Sequence, residues 1–255
     1  MRQSRLRTFL KRLAALAIVV LVWQAIAGFF LPVFFPGPMV LAERMIAIYA
    51  SPASYVVVGE TLARIFEGFG VSMAIGAALG LAMGLKRGVE IFFDSWIMVL
   101  LSFPAVCWAF LSVLWFGLSG AAAILTIVLI VVPFVAMNIW EGTKAIEKDL
   151  MQMSKVYRAD RRLILRKVLV PQLMPYVFSS LRIALSLSWK IALVAEAFGA
   201  GNGVGQELIY WFQDTRVDMM LAWGGSFMVV MVLIDLFVFR LWARRSFAWR
   251  QQFAT

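Results

Sequence analysis

Lys190 and Glu196 are ionisable side chains set inside a long apolar run. An ion in hydrocarbon is costly unless it is paired or hydrated, so such residues face a bundle interior or water. Six positions separate them, roughly 240° around a helix, so they address different neighbours rather than each other. Lys190 has two readings. It can line a pathway and draw anionic solutes, or it can tie its helix to a neighbour, with Asp94 and Asp235 as candidate partners. Glu196 lies near the outer end of the same run. Glu60, Arg64 and Glu67 share one face at the start of another apolar run (i, i+4, i+7) and read as its outer, water-facing end.

Other chemistries are closed off. Histidine is absent, which removes the commonest metal ligand and general base. Cys107 is the one cysteine, so neither a disulfide framework nor a cysteine-based zinc site can form. No G-x-x-x-x-G-K-S/T phosphate loop occurs. Gly199, Gly201, Gly203 and Gly205 do not fit G-x-G-x-x-G and follow no strand. They read as a flexible turn on the outer face.

The elements that must position these residues are membrane spans. The chain has 255 residues, 63% hydrophobic and 15% charged, with a mean hydropathy of +0.88. A water-soluble domain has apolar content nearer half and charge nearer a quarter, so lipid must be the solvent for much of this one. Six runs are long enough to cross a bilayer: Leu13 to Phe35, Val56 to Leu85, Ile91 to Phe116, Ala121 to Trp140, Gln172 to Phe198 and Met219 to Trp242. The expected organisation is a tail over 1–12, a six-span domain over 13–242 with a long loop at 141–171, and a second tail over 243–255. Ala25-Ile26-Ala27 loosely resembles a signal-peptide cleavage site, but the apolar run continues past it.

Basic residues orient the spans. The N-terminal tail, the loop with Lys86 and Arg87, the 141–171 loop and the C-terminal end hold 19 of the 24 Lys and Arg, all on one side of a six-span chain. The opposite loops carry only Arg44 and Arg216. By the positive-inside rule both termini are cytoplasmic. The net charge of +10 therefore reads as topology and contact with anionic lipid, not as a nucleic-acid surface.

Within the spans, Gly68, Ser72, Gly76, Gly80 and Gly84 recur every four residues. That leaves one helix face almost bare, so a neighbouring backbone can approach. The face serves either ordinary packing within the chain or a surface that slides. Pro104 and Pro133 interrupt spans three and four, where each removes a donor and can kink its helix, as structure or as a hinge beside a pathway.

The 141–171 loop carries a second pattern. Ile146, Leu150, Met153 and Tyr157 fall on one apolar stripe of a short helix. Asp160 stands where an N-cap would start another, and Val170-Pro171 is expected to close it. A projecting amphipathic helix either lies on the bilayer or fits a groove on a partner.

The loop and its surroundings resemble the binding-protein-dependent ABC transporter permeases, and more narrowly the nitrate/sulfonate/taurine importer branch. That family's loop carries Glu-Ala-Ala, then Gly, then an Ile/Val-x-Leu-Pro ending. Here the matching run is Gln152-Met153-Ser154, Arg158 and Val168-Leu169-Val170-Pro171. Further matches are Phe35-Pro36-Gly37-Pro38, Thr61-Leu62 with Arg64 and Gly68-Phe69, Pro104 with Leu114-Trp115-Phe116-Gly117, and Leu181-Arg182-Ile183-Ala184-Leu185. Trp189-Lys190, Ala195-Glu196 and Gly203-Val204-Gly205 complete the series.

The resemblance implies an all-α, type I importer permease in a bacterial inner membrane. Two permease chains, alike or different, form the pathway. Two ATPase subunits dock on the loop helices and carry ATP and Mg, so this chain needs no cofactor of its own. An external binding protein delivers the solute. Alternating access would pass through residues such as Pro104, Trp189, Lys190 and Glu196. Arg158 departs from the turn glycine: at a backbone site with positive φ it costs on the order of 1 kcal/mol, so either the turn has another shape or the loop is less constrained. A self-sufficient transporter or channel and a non-transporting membrane scaffold are the competing classes.

Overall fold

The computed structural model describes residues 2–199 and 201–246, and every regular element among them is helical. In chain order these are α1 (Arg2–Ala27), α2 (Pro38–Ala50), α3 (Pro52–Leu85), α4 (Arg87–Ser102), α5 (Ala105–Phe116), α6 (Gly120–Lys144), α7 (Lys148–Val156), α8 (Arg161–Ile164), a π-helical turn (Leu165–Leu169), α9 (Val170–Gly199), α10 (Val204–Gln213) and α11 (Val217–Ser246). Five helices are long and apolar enough to cross a membrane, or six if the bent pair α4–α5 counts as one span.

The centre of the bundle is α3, α6 and α9, with α11 against α9 and α10. Ile65, Ile127, Val131, Val135, Ile139, Ala184, Ala192 and Phe227 fill it. The small-residue face of α3 is what lets α6 come so near. A Cβ on Gly68 would lie 2.9 Å from the Ile127 side chain and one on Gly76 2.6 Å from Val135. On Gly80 it would strike the Ala136 carbonyl, and on Gly84 the Thr143 side chain. Ser72, fully buried, returns its hydroxyl to the Gly68 carbonyl at 2.6 Å. The stripe therefore packs α3 on α6, where dispersion replaces the hydrophobic drive that lipid cannot supply.

Several spans differ from the sequence expectation. α1 starts at Arg2, so residues 2–12 of the expected tail belong to it, and it ends at Ala27 rather than Phe35. Gly28 follows, the bonds tighten to i→i−3 at Phe29 and Phe30, and the chain turns back so that Gly37 lies against Gln24. The expected third span is broken. α4 and α5 meet at 97°, because Phe103 is extended (ψ 130°) before Pro104, as the residue preceding a proline prefers. Pro104 thus stands between two helices. Pro133 stays buried inside α6.

Two shorter helices, α2 and α10, occupy segments that read as loops. Each is too short for a span, and α2 opens with Pro38 in the first turn, where a missing donor is harmless. Residues 247–255, most of the expected C-terminal tail, lie outside the described residues.

Candidate functional site

The 141–171 loop folds as α7, a turn, and a helical run that continues into α9. Arg158 has φ 49°, so the turn keeps the left-handed shape although arginine occupies it. Its hydrogen bonds explain why: the Tyr157 N–H reaches the Met153 carbonyl at 3.0 Å and the Ala159 N–H reaches Ser154 at 2.9 Å. The second is the long bond of a Schellman ending, which satisfies a carbonyl at the end of α7. On α7, Ser154 is buried while Met153, Val156 and Tyr157 are more than half exposed, Tyr157 at 77% and Val156 at 80%. Gln152 is exposed, and Ile146 and Leu150 are half-buried. The apolar stripe thus divides: Leu150 leans toward the protein and the Met153–Tyr157 end faces out.

Asp160 does occupy the N-cap position, its carbonyl accepting the Ile164 N–H at 3.0 Å. Pro171 corrects the expectation. It closes no helix, because α8, the π turn and α9 run on without a break. The π register moves the Val170 N–H to the Leu165 carbonyl, five residues back. A proline two residues into α9 is absorbed there without ending the helix. The Gln172 side chain accepts the Glu147 N–H at 2.9 Å and ties the start of the loop to α9.

Lys190 lies on the face of α9 opposed to α11. With Arg182, Ser186, Trp189, Leu185, Met231 and Asp235 it lines a cleft of about 240 Å³. Asp235 is 3.9 Å from the Arg182 guanidinium, not from Lys190, and Asp94 makes no ion pair with it either. Lys190 instead sits 5.7 Å from the centre of the Trp189 ring, with no carboxylate in salt-bridge range among the described residues. Arg182 entered the sequence reading only inside a family motif. The i, i+4, i+8 spacing of Arg182, Ser186 and Lys190 is the signal that places all three on one face.

Glu196 points the other way, as its angular offset from Lys190 requires. Its side chain has no exposed surface. One carboxylate oxygen accepts Arg64 at 2.6 Å, and the other accepts the Thr61 hydroxyl at 2.9 Å and the Gly205 N–H at 3.0 Å. Thr61 in turn accepts the Val204 N–H at 2.9 Å. Arg64 also donates to the Asn202 carbonyl at 2.9 Å and to the Asn202 side chain. Arg64 is therefore buried and not water-facing, and Glu196 is sealed in a lock between α3, α9 and α10.

The glycine turn is fixed by the same lock. Gly201 and Gly203 have φ 69° and 108°, and a Cβ on Gly203 would lie 2.6 Å from the Glu196 carboxylate. A second sealed carboxylate, Asp218, was not foreseen. It takes Arg216 at 2.9 Å and Arg44 at 3.2 Å, so that α2 and α11 are tied through one carboxylate. Pro104, on the exposed bend between α4 and α5, belongs to neither cluster.

Comparison with known proteins follows the same lines. The profile of the binding-protein-dependent transport system inner membrane component family matches residues 70–248. The chain belongs to this family. An aliphatic sulfonates permease of Bacillus subtilis, described as putative, is 25% identical to this permease, over 96% of this chain and 89% of the relative. A taurine transport system permease of Escherichia coli is 27% identical over 88% and 84%. A bicarbonate transport system permease of Synechococcus elongatus is 30% identical over 72% and 66%. An inward-facing structure of the MetNI methionine ABC transporter superposes on the permease with TM-score 0.63 at 20% identity, covering 76% of this chain and 94% of that one. The fold of an importer's membrane subunit is therefore shared.

Proposed function

We propose that this permease forms half of the pathway of an ATP-driven importer for a small anionic or polar solute, moved by alternating access. A partner ATPase binds and hydrolyses ATP with Mg on the cytoplasmic side, and an external binding protein delivers the solute. The basic loops orient both termini toward the cytoplasm of a bacterial cell, and the relatives are named as transport permeases for aliphatic sulfonates (putative), taurine and bicarbonate.

The observation that carries this reading is α7. It presents Met153, Val156 and Tyr157 outward and ends in a left-handed turn kept at Arg158. An exposed apolar helix end suits a groove on a motor subunit, so that closure of the motors moves the bundle. The test is co-purification of the tagged ATPase with Tyr157→Asp and Leu150→Asp variants, alongside uptake. Both are expected to fall strongly at normal membrane levels of permease. Undiminished co-purification overturns the reading. Uptake by the permease reconstituted alone would make it a self-sufficient transporter. Finding a single permease species in the purified complex would make the pathway a homodimer.

A further inference from the structure

We infer that the cleft between α9 and α11 is a binding subsite of the permease itself for one monovalent oxyanion, with Arg182 and Lys190 as its ligands and Asp235 as a built-in competitor. This rests on the transport reading and adds where, and by which charges, the permease selects.

Three features carry it. The first is depth. Lys190 is nine residues from one end of α9 and twenty from the other. At 1.5 Å per residue the nearer end is about 13 Å away, so Lys190 stands inside the apolar span Arg162–Gly199. An ammonium there without a carboxylate partner must meet water or an anion.

The second feature is the pairing of Arg182. Its side chain is 64% exposed and its guanidinium comes no closer to Asp235 than 3.9 Å. A planar fork so loosely held keeps an edge free for two parallel bonds to an oxyanion. The third is charge: two cations and one carboxylate leave the cleft at +1, matched to a monoanion. Ser186 and the Trp189 ring, on the same face, add a hydroxyl and an aromatic wall.

The carboxylate gives the site a means of release. Asp235 competes with the incoming anion for Arg182, so capture is weak and exit is fast, as a transit site requires. Removal of the Asp235 charge makes the cleft doubly cationic and holds the anion longer.

The test uses the full chain in nanodiscs with Cys107→Ser, so that Ser186→Cys supplies the one thiol. Its rates with sulfonatoethyl and trimethylammonioethyl methanethiosulfonate are compared with those of free 2-mercaptoethanol. The anionic reagent is expected to be favoured roughly tenfold or more over its solution preference, and methanesulfonate is expected to slow it. Arg182→Gln with Lys190→Gln should return the preference to the solution value, and Asp235→Asn should raise it. The inference is overturned by a solution-like preference at Ser186→Cys, by indifference to these substitutions, or by no reaction with either reagent. Methanesulfonate protection seen in phosphatidylcholine discs and lost in phosphatidylglycerol discs makes the occupant a headgroup, which also overturns it. Failure of ATP-driven uptake in the wild-type complex sinks the transport reading independently of these rates.

Discussion

The Arg64 guanidinium lies 2.6 Å from the Glu196 carboxylate, and the carboxylate has no solvent-exposed surface. The pair joins residues 132 positions apart and ties the first half of α3 and the last turn of α9 around the first residues of α10. Breaking one side leaves an uncompensated ion. Arg64→Met is expected to cost about 3–5 kcal/mol, read as loss of protease-resistant, folded permease in membranes. Arg64→Met combined with Glu196→Met should recover much of it. Equal loss in the single and double variants would show that the charge pairing is not what holds the three helices.

Asp218 is expected to behave asymmetrically. Arg44→Gln and Arg216→Gln each leave it one cation, so each alone should be mild. Asp218→Ala removes both ion pairs and with them the charge link between α2 and α11, and should destabilise more than either arginine variant. Thermal melting in detergent, compared across the three variants, orders them.

The α3–α6 contact predicts which glycines are replaceable. Gly76→Ala and Gly80→Ala drive a Cβ into α6 and should cost about 1–3 kcal/mol through overpacking. Gly70→Ala, with nothing within 4 Å of its Cβ, should be neutral or slightly stabilising because the helix gains a better former. The folded yield of the three variants checks this.

Arg158→Gly removes the strain of a left-handed arginine and is expected to stabilise the α7 ending by up to about 1 kcal/mol without loss of ATPase co-purification. Arg158→Val, β-branched at φ 49°, should loosen the same turn. Slower amide exchange at Ala159 in the glycine variant, and faster exchange in the valine variant, is the expected reading.

The sequence by itself determined that the chain lives in lipid, roughly where most of its apolar spans lie, and that α7 and the α3 glycine face exist. These follow from local quantities: apolar run length, charge clustering and helical periodicity. The tertiary structure alone decided which ions meet. Arg64, read as water-facing, is buried because Glu196 comes to it from another helix. Lys190, offered Asp94 or Asp235 as partners, has neither because Arg182 stands nearer Asp235. Likewise, Pro104 signalled a kink but not a 97° break, and α2 and α10 were too short for a span-length window to register. A side chain's partner in a bundle depends on how helices distant in sequence are rotated and spaced. Periodicity fixes a face for each helix, but only packing sets what that face meets.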